Sequence, residues 1–224
     1  MSELTRYGYE HAISGFFEFP TENARRILPS HLEPIEVHHG TSIFSMTVFD
    51  FTESMVGPYG EVVMSVIVSP LVKPGKPLPK SAFYPYLVAT TTRAAREHAI
   101  ERWHLPHWMA DVEISFTDGP GDVTARVAAD GEPVAEMTIS QYEWHRVAHL
   151  FQSFMHDSDG TYLANITMEG QHSEHEEETG RLKLFPHAFH KQLALADVSD
   201  VPFREMWMRE GLQTFEPLVQ LETA

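Results

Sequence analysis

The chain has 224 residues, of which 42% are hydrophobic and 21% are charged, and this composition is typical of a globular protein large enough to bury its own core. The absence of cysteine excludes disulfides, thiolate nucleophiles and cysteine-based metal sites. The formal net charge of −16 argues against a surface that binds nucleic acid or an anionic membrane, because both would repel the protein.

The first predicted element is a short helix within the segment 20–29. Thr21 is its expected N-cap, and Pro29 is expected to end it because the residue before a proline disfavours the α conformation. Two runs rich in Val, Ile, Phe and Met follow at 42–51 and 61–69. They predict two strands separated by a Gly-Pro-Tyr-Gly turn.

The middle of the chain is predicted to contain a helix and an antiparallel meander. Residues 71–79 are rich in proline and predict a loop, whereas 91–102 begin with threonines and contain strong helix formers. Apolar and polar side chains then alternate through much of 110–142, as expected of half-buried strands. Asp130-Gly131 predicts a tight hairpin turn within this meander.

The last quarter of the chain is predicted to complete a closed fold. The acidic stretch 170–180 lacks apolar periodicity and predicts a solvated loop or a sheet edge. A strand near 182–185, a short helix around 203–209 and a last strand near 212–221 follow. So many short strands predict one mostly β (α+β) domain over 1–224 with a few helices, in which a closed antiparallel barrel or a closed sandwich would protect the strand edges.

The sequence also predicts a cytoplasmic location. Its first residues, Met1-Ser2-Glu3-Leu4, show no basic region followed by an apolar run, so we expect no signal peptide. No uninterrupted apolar stretch reaches about 18 residues, so we expect no membrane-spanning helix.

Several short segments, in order along the chain, resemble segments of the acetoacetate decarboxylase-like family. Residues 24–33 resemble the family's early helix and turn, and 58–62 resemble its Tyr-x-Glu segment. Residues 105–110 resemble the aromatic-Pro-Lys-Lys-Leu segment that carries the Schiff-base lysine. Residues 181–188 resemble a late Leu-x-Leu-Phe-x-His strand, and 201–205 resemble a closing Leu-Pro-x-x-Glu. The resemblance covers nearly the whole chain. It implies a cone-like β-barrel with flanking helices around a buried pocket, and assembly into a homo-oligomer.

The resemblance also exposes a departure from the family pattern. A Schiff-base lysine must be neutral near pH 7, through desolvation or a neighbouring cation, and acetoacetate decarboxylase is itself a known example of that tuning. Here His107 stands in place of the reactive lysine, and Trp108 replaces the adjacent lysine. The arginine that the resemblance implies near the N-terminus is missing from Tyr9-Glu10-His11. An imidazole cannot form the iminium that accepts electrons as carbon dioxide leaves, so classical decarboxylation is not expected.

Two residues are predicted to carry the chemistry. Glu61 matches a pocket carboxylate of the family and lies beside an apolar run, although it could equally be an exposed residue at the start of a strand. His107 is a candidate general acid or base because the unperturbed pKa of histidine lies near neutrality. Its structural alternative is a buried histidine satisfied by one hydrogen bond, or a surface residue after Pro106.

Four further residues are predicted to bind substrate. The matched segments contain Tyr59 and Trp108, and His104 directly precedes one of them; their rings could line an apolar cavity, although packing is the ordinary role of such aromatic side chains. Lys183 alternates with two leucines, so its amine could point into the barrel or out of it.

No metal or other cofactor is predicted. Two histidine pairs, His104-x-x-His107 and His145-x-x-x-His149, have spacings that can ligate zinc or iron, and Glu61 could complete such a set. Neither pair forms a recognised metal signature. A metal-dependent enzyme is therefore kept as a third alternative.

The leading functional prediction is a small-molecule enzyme of secondary or catabolic metabolism, of lyase or hydrolase type. In it His107 and Glu61 would act as acid–base partners on a keto acid, an ester or another enolisable carbonyl compound, without a Schiff base. The alternative from another class is a non-catalytic small-molecule-binding protein on the same barrel. The predicted partner is a small molecule, with no nucleic acid and no membrane.

Overall fold

Strands make up most of the computed structural model, which describes residues 4–222. The strands are β1 (Thr5–Pro20), β2 (Glu36–His38), β3 (Thr41–Glu53), β4 (Tyr59–Val68), β5 (Ser81–Thr90), β6 (Val112–Asp118), β7 (Asp122–Ala129), β8 (Glu132–Ser140), β9 (His145–Asp157), β10 (Gly160–His175), β11 (Arg181–Leu184), β12 (Arg204–Phe215) and β13 (Val219–Leu221). The helices are α1 (Thr21–Ile27) and α2 (Arg93–Trp103), with two 3-10 turns at Ala188–His190 and Leu195–Asp197.

Seven of these strands close into a barrel. Their order is β1, β12, β10, β9, β5, β4 and β3, and β3 pairs in turn with β1. Neighbours are antiparallel except β5 and β9, which pair in parallel over Ser81–Phe83. Because β1 pairs on both of its edges, the sheet has no open end around the barrel.

A second sheet, in the order β11, β8, β7 and β6, covers part of the outside of the barrel. The inner face of this sheet and the outer face of the barrel share one apolar cluster, which includes Met137 and Val123 on one side and Met64 and Phe44 on the other. Both faces of β4 are therefore buried, which explains why 62–68 reads as an almost continuous apolar run.

Helix α2 lies against the barrel interior. The Thr92 hydroxyl caps it by accepting a hydrogen bond from the Ala95 amide, and His104 ends it in the left-handed conformation. Trp103 is buried, and its ring lies 4.5 Å from that of Phe215 on β12.

The mostly β barrel, its antiparallel meander over β6–β8 and the hairpin at Asp130-Gly131 confirm the predicted fold class. Asp130 and Gly131 both have positive φ, as that turn requires. The predicted cap of α1 is wrong, because the N-cap position is Pro20 and the Thr21 hydroxyl instead bonds the Ser42 hydroxyl at 2.8 Å.

Of two predictions near the end of the chain, one holds in part and one is wrong. In the stretch 170–180, expected to be a solvated loop or a sheet edge, residues 170–175 belong to β10, where His172 and Ser173 are buried, whereas 176–179 form an exposed loop. The helix expected at 203–209 belongs to strand β12. In β12, Met206 faces the barrel interior while Trp207 packs in the cluster between the two sheets, so burial on both faces hid the strand alternation.

Within residues 4–222, no helix is long and apolar enough to cross a membrane.

A buried glutamate joins the second sheet to the barrel. The Glu205 side chain on β12 is fully buried and accepts hydrogen bonds from the backbone amides of Ser140, Thr179 and Gly180 at 2.8, 2.9 and 2.7 Å. The Ser140 hydroxyl donates a further bond at 2.9 Å. The Gly180 amide is buried and the Ser140 and Thr179 amides are partly buried, so all three depend on this one acceptor.

We therefore expect Glu205→Ala to lower the free energy of unfolding by roughly 3 kcal/mol or more, because it leaves one buried and two partly buried backbone amides without their acceptor. Chemical denaturation measures the loss. The matched control is Glu132→Ala on the exposed start of β8, which should stay within about 0.5 kcal/mol of the parent protein. A loss for Glu205→Ala no larger than that of the control would contradict the role assigned to Glu205.

Candidate active site

The barrel interior contains a cavity of about 90 Å³ lined mainly by apolar side chains. By the volume that a water needs, this space suits a small organic molecule rather than a single water. The aromatic part of the lining consists of Phe49, Phe83, Trp103, Phe151 and Phe215. Three methionines and four hydroxyl residues complete much of the rest; they are Met155, Met168, Met206, Ser14, Thr47, Ser65 and Ser153.

Glu61 is the one ionisable residue among those that line this cavity in the described chain. Strand alternation places it there: Glu61, Val63 and Ser65 line the cavity, whereas Val62 and Met64 pack in the cluster under the second sheet. Within residues 4–222 the Glu61 carboxyl has no ion-pair partner within 4 Å and makes no side-chain hydrogen bond. Its side chain keeps partial accessibility because it opens into the cavity.

The surroundings of Glu61 favour its neutral form. Desolvation by the barrel interior raises the pKa of Glu61 from 4.5 to about 8, and no nearby cation opposes that rise. The carboxyl is therefore mostly protonated at pH 7, with a substantial ionised fraction. Such a group can either donate or accept a proton near neutral pH.

Two tyrosines and a tryptophan pack near Glu61. The Trp103 indole donates to the Tyr7 hydroxyl at 2.7 Å, and that hydroxyl lies 2.7 Å from Nε2 of His98. Burial raises the pKa of Tyr7 and of Tyr59, with a smaller contribution from the Glu61 carboxylate, so both phenols stay neutral.

Tyr59 lies in the barrel core beside the cavity and is not among its lining residues. Its ring packs 4.9 Å from that of Phe51, and both belong to the apolar cluster that also holds Phe49. The tyrosine therefore supports the wall around Glu61 by packing.

His107 lies beside β5, outside the cavity lining. Its backbone forms an isolated parallel bridge with Val88, and its Nδ1 lies 2.7 Å from the Trp108 carbonyl oxygen, to which it donates. Its Nε2 is buried without a hydrogen-bond partner in the described chain. Burial is the main cause of its lowered pKa, so the ring is neutral at pH 7.

The structure does not bring the other three predicted substrate-binding residues to the cavity. His104 pairs with Asp157 at 2.6 Å and stacks on Tyr162. The Trp108 ring packs near Phe189, with centroids 5.5 Å apart. Lys183 is exposed on β11, with its amine 4.7 Å from the centre of the Phe185 ring.

Lysine is absent from the cavity wall. All five lysines of the sequence lie within residues 4–222, and none lines the cavity. Lys80 comes nearest to the barrel strands, and its amine is 2.6 Å from the Glu174 carboxylate.

The histidine pairs do not gather with Glu61. Within residues 4–222, no three histidine, aspartate or glutamate side chains form a group able to hold a metal ion. His149 instead packs edge-on against His172, with ring centroids 4.8 Å apart. The metal alternative thus finds no ligand set in that part of the chain.

A closed barrel around a buried pocket, with a glutamate from the fourth strand inside it, is the arrangement implied by the resemblance. The family model for acetoacetate decarboxylase (ADC) matches residues 3–219. The chain belongs to the acetoacetate decarboxylase family. No curated protein matches the sequence significantly.

Solved structures of family members share the fold at low sequence identity. An acetoacetate decarboxylase structure aligns with a TM-score of 0.65 at 12% identity, covering 99% of this chain and 90% of that one. Acetoacetate decarboxylase from Legionella pneumophila subsp. pneumophila str. Philadelphia 1 aligns at 0.60 and 14%, covering 97% and 87%. The enduracididine biosynthesis enzyme MppR complexed with pyruvate aligns at 0.60 and 11%, covering 99% and 92%. At these identities the likeness shows the fold alone.

Several cavity residues were not predicted from the sequence, chiefly Trp103, Ser65 and Gln213. Ser65 carries a usable signal, because it lies four residues after Glu61 in a predicted strand and so shares its face. Gln213 and Trp103 carry none, since their positions depend on which strands and helix meet inside the barrel.

The buried carboxyl makes stability depend on pH in a defined window. Between pH 4.5 and about 8 the unfolded chain releases the Glu61 proton while the folded protein keeps it, so the contribution of Glu61 to stability falls as pH rises. Each unit of pKa difference corresponds to about 1.4 kcal/mol. We expect the melting temperature of Glu61→Gln, relative to the parent protein, to rise by several degrees from pH 5 to pH 8.

The difference between variant and parent is the quantity to follow by thermal unfolding, because the remaining charges act on both proteins. Glu132→Gln, at an exposed position, is the matched control and should show no such trend. A difference for Glu61→Gln that is flat across this window would contradict the raised pKa.

Proposed function

We propose that this protein is an enzyme that moves protons on a carbonyl-containing small molecule inside the barrel, with Glu61 as the acid–base group and without a Schiff base. The observation that carries the proposal is a glutamate that has no partner within residues 4–222, lies in an apolar cavity and has its pKa raised to about 8. Charged side chains are almost never buried in protein interiors unless they are paired, so an unpaired carboxyl in a cavity indicates a functional role.

The reaction follows from the two states of Glu61. Ionised Glu61 takes a proton from the carbon next to the carbonyl; the C–H electron pair becomes part of a C=C bond, and the carbonyl π electrons move to oxygen. Protonated Glu61 reverses the transfer by returning the proton to carbon. The same exchange of a proton begins lyase, hydratase and cyclase reactions, and carboxyl-assisted attack of water gives the hydrolase type.

The absence of a cavity lysine supports the part of the proposal that excludes an imine. Imine formation needs a neutral primary amine close to the carbonyl. The five lysines lie away from the cavity, and Lys80 is held by Glu174. His107, at the position the family resemblance gives to the reactive lysine, has no primary amine.

His107 as the acid–base partner of Glu61 stays a prediction. Its ring is neutral and its Nε2 is free of protein hydrogen bonds, as a base requires. It lies outside the lining, however, so we assign the proton transfer to Glu61 first. The cytoplasmic location and the homo-oligomer likewise stay predictions.

A non-catalytic binding protein is the second candidate, favoured by the mainly apolar lining of the cavity. Such a protein would hold its ligand unchanged. It would need Glu61 for binding at most, and never for chemistry.

Proton exchange separates the two candidates. We expect the protein to catalyse exchange of the α-protons of a simple ketone or keto ester in D2O, followed by NMR over a panel of such compounds. Glu61→Gln should lower the exchange rate by about 100-fold or more, because a carboxamide cannot act as a general acid or base at this pH. Glu132→Gln is the matched control and should leave the rate unchanged.

His107→Gln belongs in the same experiment. A loss comparable to that of Glu61→Gln would place His107 in the reaction, and a small loss would leave the transfer to Glu61 alone. Panel compounds that bind without any catalysed exchange would favour the binding protein and refute the enzyme.

Borohydride trapping tests the exclusion of an imine. We expect reduction in the presence of acetoacetate or pyruvate to leave no covalent adduct inside the cavity, because no described lysine reaches it. An adduct inside the cavity would be recognised because a ketone that fills the cavity prevents its formation. Peptide mapping by mass spectrometry identifies the labelled position, and slow, unprotected labelling of exposed Lys73 or Lys76 serves as the internal control. A stable, protectable adduct would overturn the proposal.

A further inference from the structure

The charge of the cavity lining limits what it can hold. Among the described residues that line it, Glu61 is the one ionisable side chain, and no lysine, arginine or histidine is present. Arg102 and Arg209 do not line the cavity: Arg102 donates to the Thr5 hydroxyl, and the Arg209 guanidinium lies 4.2 Å from the centre of the Trp144 ring, with its Nε buried and without a hydrogen-bond partner in the described chain.

A carboxylate in this cavity would be a buried charge without a partner. Transfer of an unpaired carboxylate from water into an apolar site is strongly unfavourable. A second negative charge would also raise the pKa of Glu61 further and suppress its ionised form. The site therefore favours a molecule whose reacting end carries no charge.

Gln213 on β12 supplies the polar group that such a molecule could use. It is 6% exposed and lines the cavity, yet no hydrogen bond in the described chain uses its carboxamide. The other deeply buried glutamine, Gln152, is 4% exposed and is satisfied by both backbone polar groups of Leu71 and by Asn165. A buried carboxamide without a partner is costly unless a ligand completes its hydrogen bonds.

We propose that the cavity takes an uncharged ketone or ester, rather than a keto acid, and that Gln213 binds its oxygen by donating an amide N–H. That this ligand is a substrate rests on the proposed function, whereas its lack of charge and its contact with Gln213 do not. In this proposal Gln213 positions the ligand oxygen, whereas the lack of a cation among the described lining residues sets the preference for an uncharged ligand.

Matched pairs of ligands test the proposal directly. Levulinate and methyl levulinate differ in the carboxylate that the ester masks, and homologous pairs of about four to eight carbons cover the cavity volume. Dissociation constants at pH 7 are measured by calorimetry or ligand-detected NMR. We expect at least one ester to bind about tenfold or more tightly than its acid, and Gln213→Leu to weaken that ester by about tenfold.

Two controls keep the result specific. Gln192→Leu removes an exposed carboxamide and should leave the affinity unchanged. Gln213→Met, which keeps the length of the side chain, replaces the leucine variant if the latter fails to fold, and the comparison of ester with acid needs no variant at all. A ligand of the same size without oxygen should lose little affinity in either Gln213 variant, since it makes no hydrogen bond there.

The outcomes distinguish this proposal from the proposed function. If no ester binds better than its acid, or if Gln213 variants bind the ester as the parent does, the inference is overturned even where Glu61-dependent exchange is found. Ester binding that depends on Gln213, with no exchange on any ligand, upholds the inference and refutes the enzyme.

Discussion

Closure of the barrel is the constraint on which the rest of this structure depends. Strand β1 pairs with β12 on one edge and with β3 on the other, so the inner faces of seven strands surround one space. Because the closed sheet has no free edge, the side chains that point inward are not exposed to bulk water along such an edge. That enclosure raises the pKa of Glu61, since the carboxyl finds neither bulk solvent nor a cation inside.

The outer face of the same strands packs under the second sheet. The buried Glu205 side chain joins the two parts by accepting hydrogen bonds from backbone amides near the ends of β8 and β11. A paired, hydrogen-bonded glutamate holds the architecture, whereas an unpaired one lies in the cavity. The two carboxyl groups differ in their surroundings, and that difference separates Glu205 as a structural group from Glu61 as the proposed acid–base group.

The fold and the chemistry of the cavity depend on different features of the sequence. The barrel fold is shared with solved structures at 10–14% sequence identity. It is specified by the alternation of inward and outward side chains, by closure of the sheet and by the volume of the core, and many different apolar residues meet these requirements. The chemistry depends on single groups. His107 and Trp108 stand in the segment that resembles the lysine pair, and none of the five lysines lines the cavity.

The sequence by itself determined the fold class, the meander over β6–β8, helix α2 and the family, because local alternation, turn residues and short ordered motifs carry that information. It also pointed to Glu61, through a motif beside an apolar strand. It could not show that 203–209 is a strand, since both faces of that segment are buried, nor that His107, His104 and Lys183 lie away from the cavity. Only the tertiary structure decided which side chains meet inside the barrel, Gln213 among them, because cavity lining depends on pairing between strands far apart in the chain.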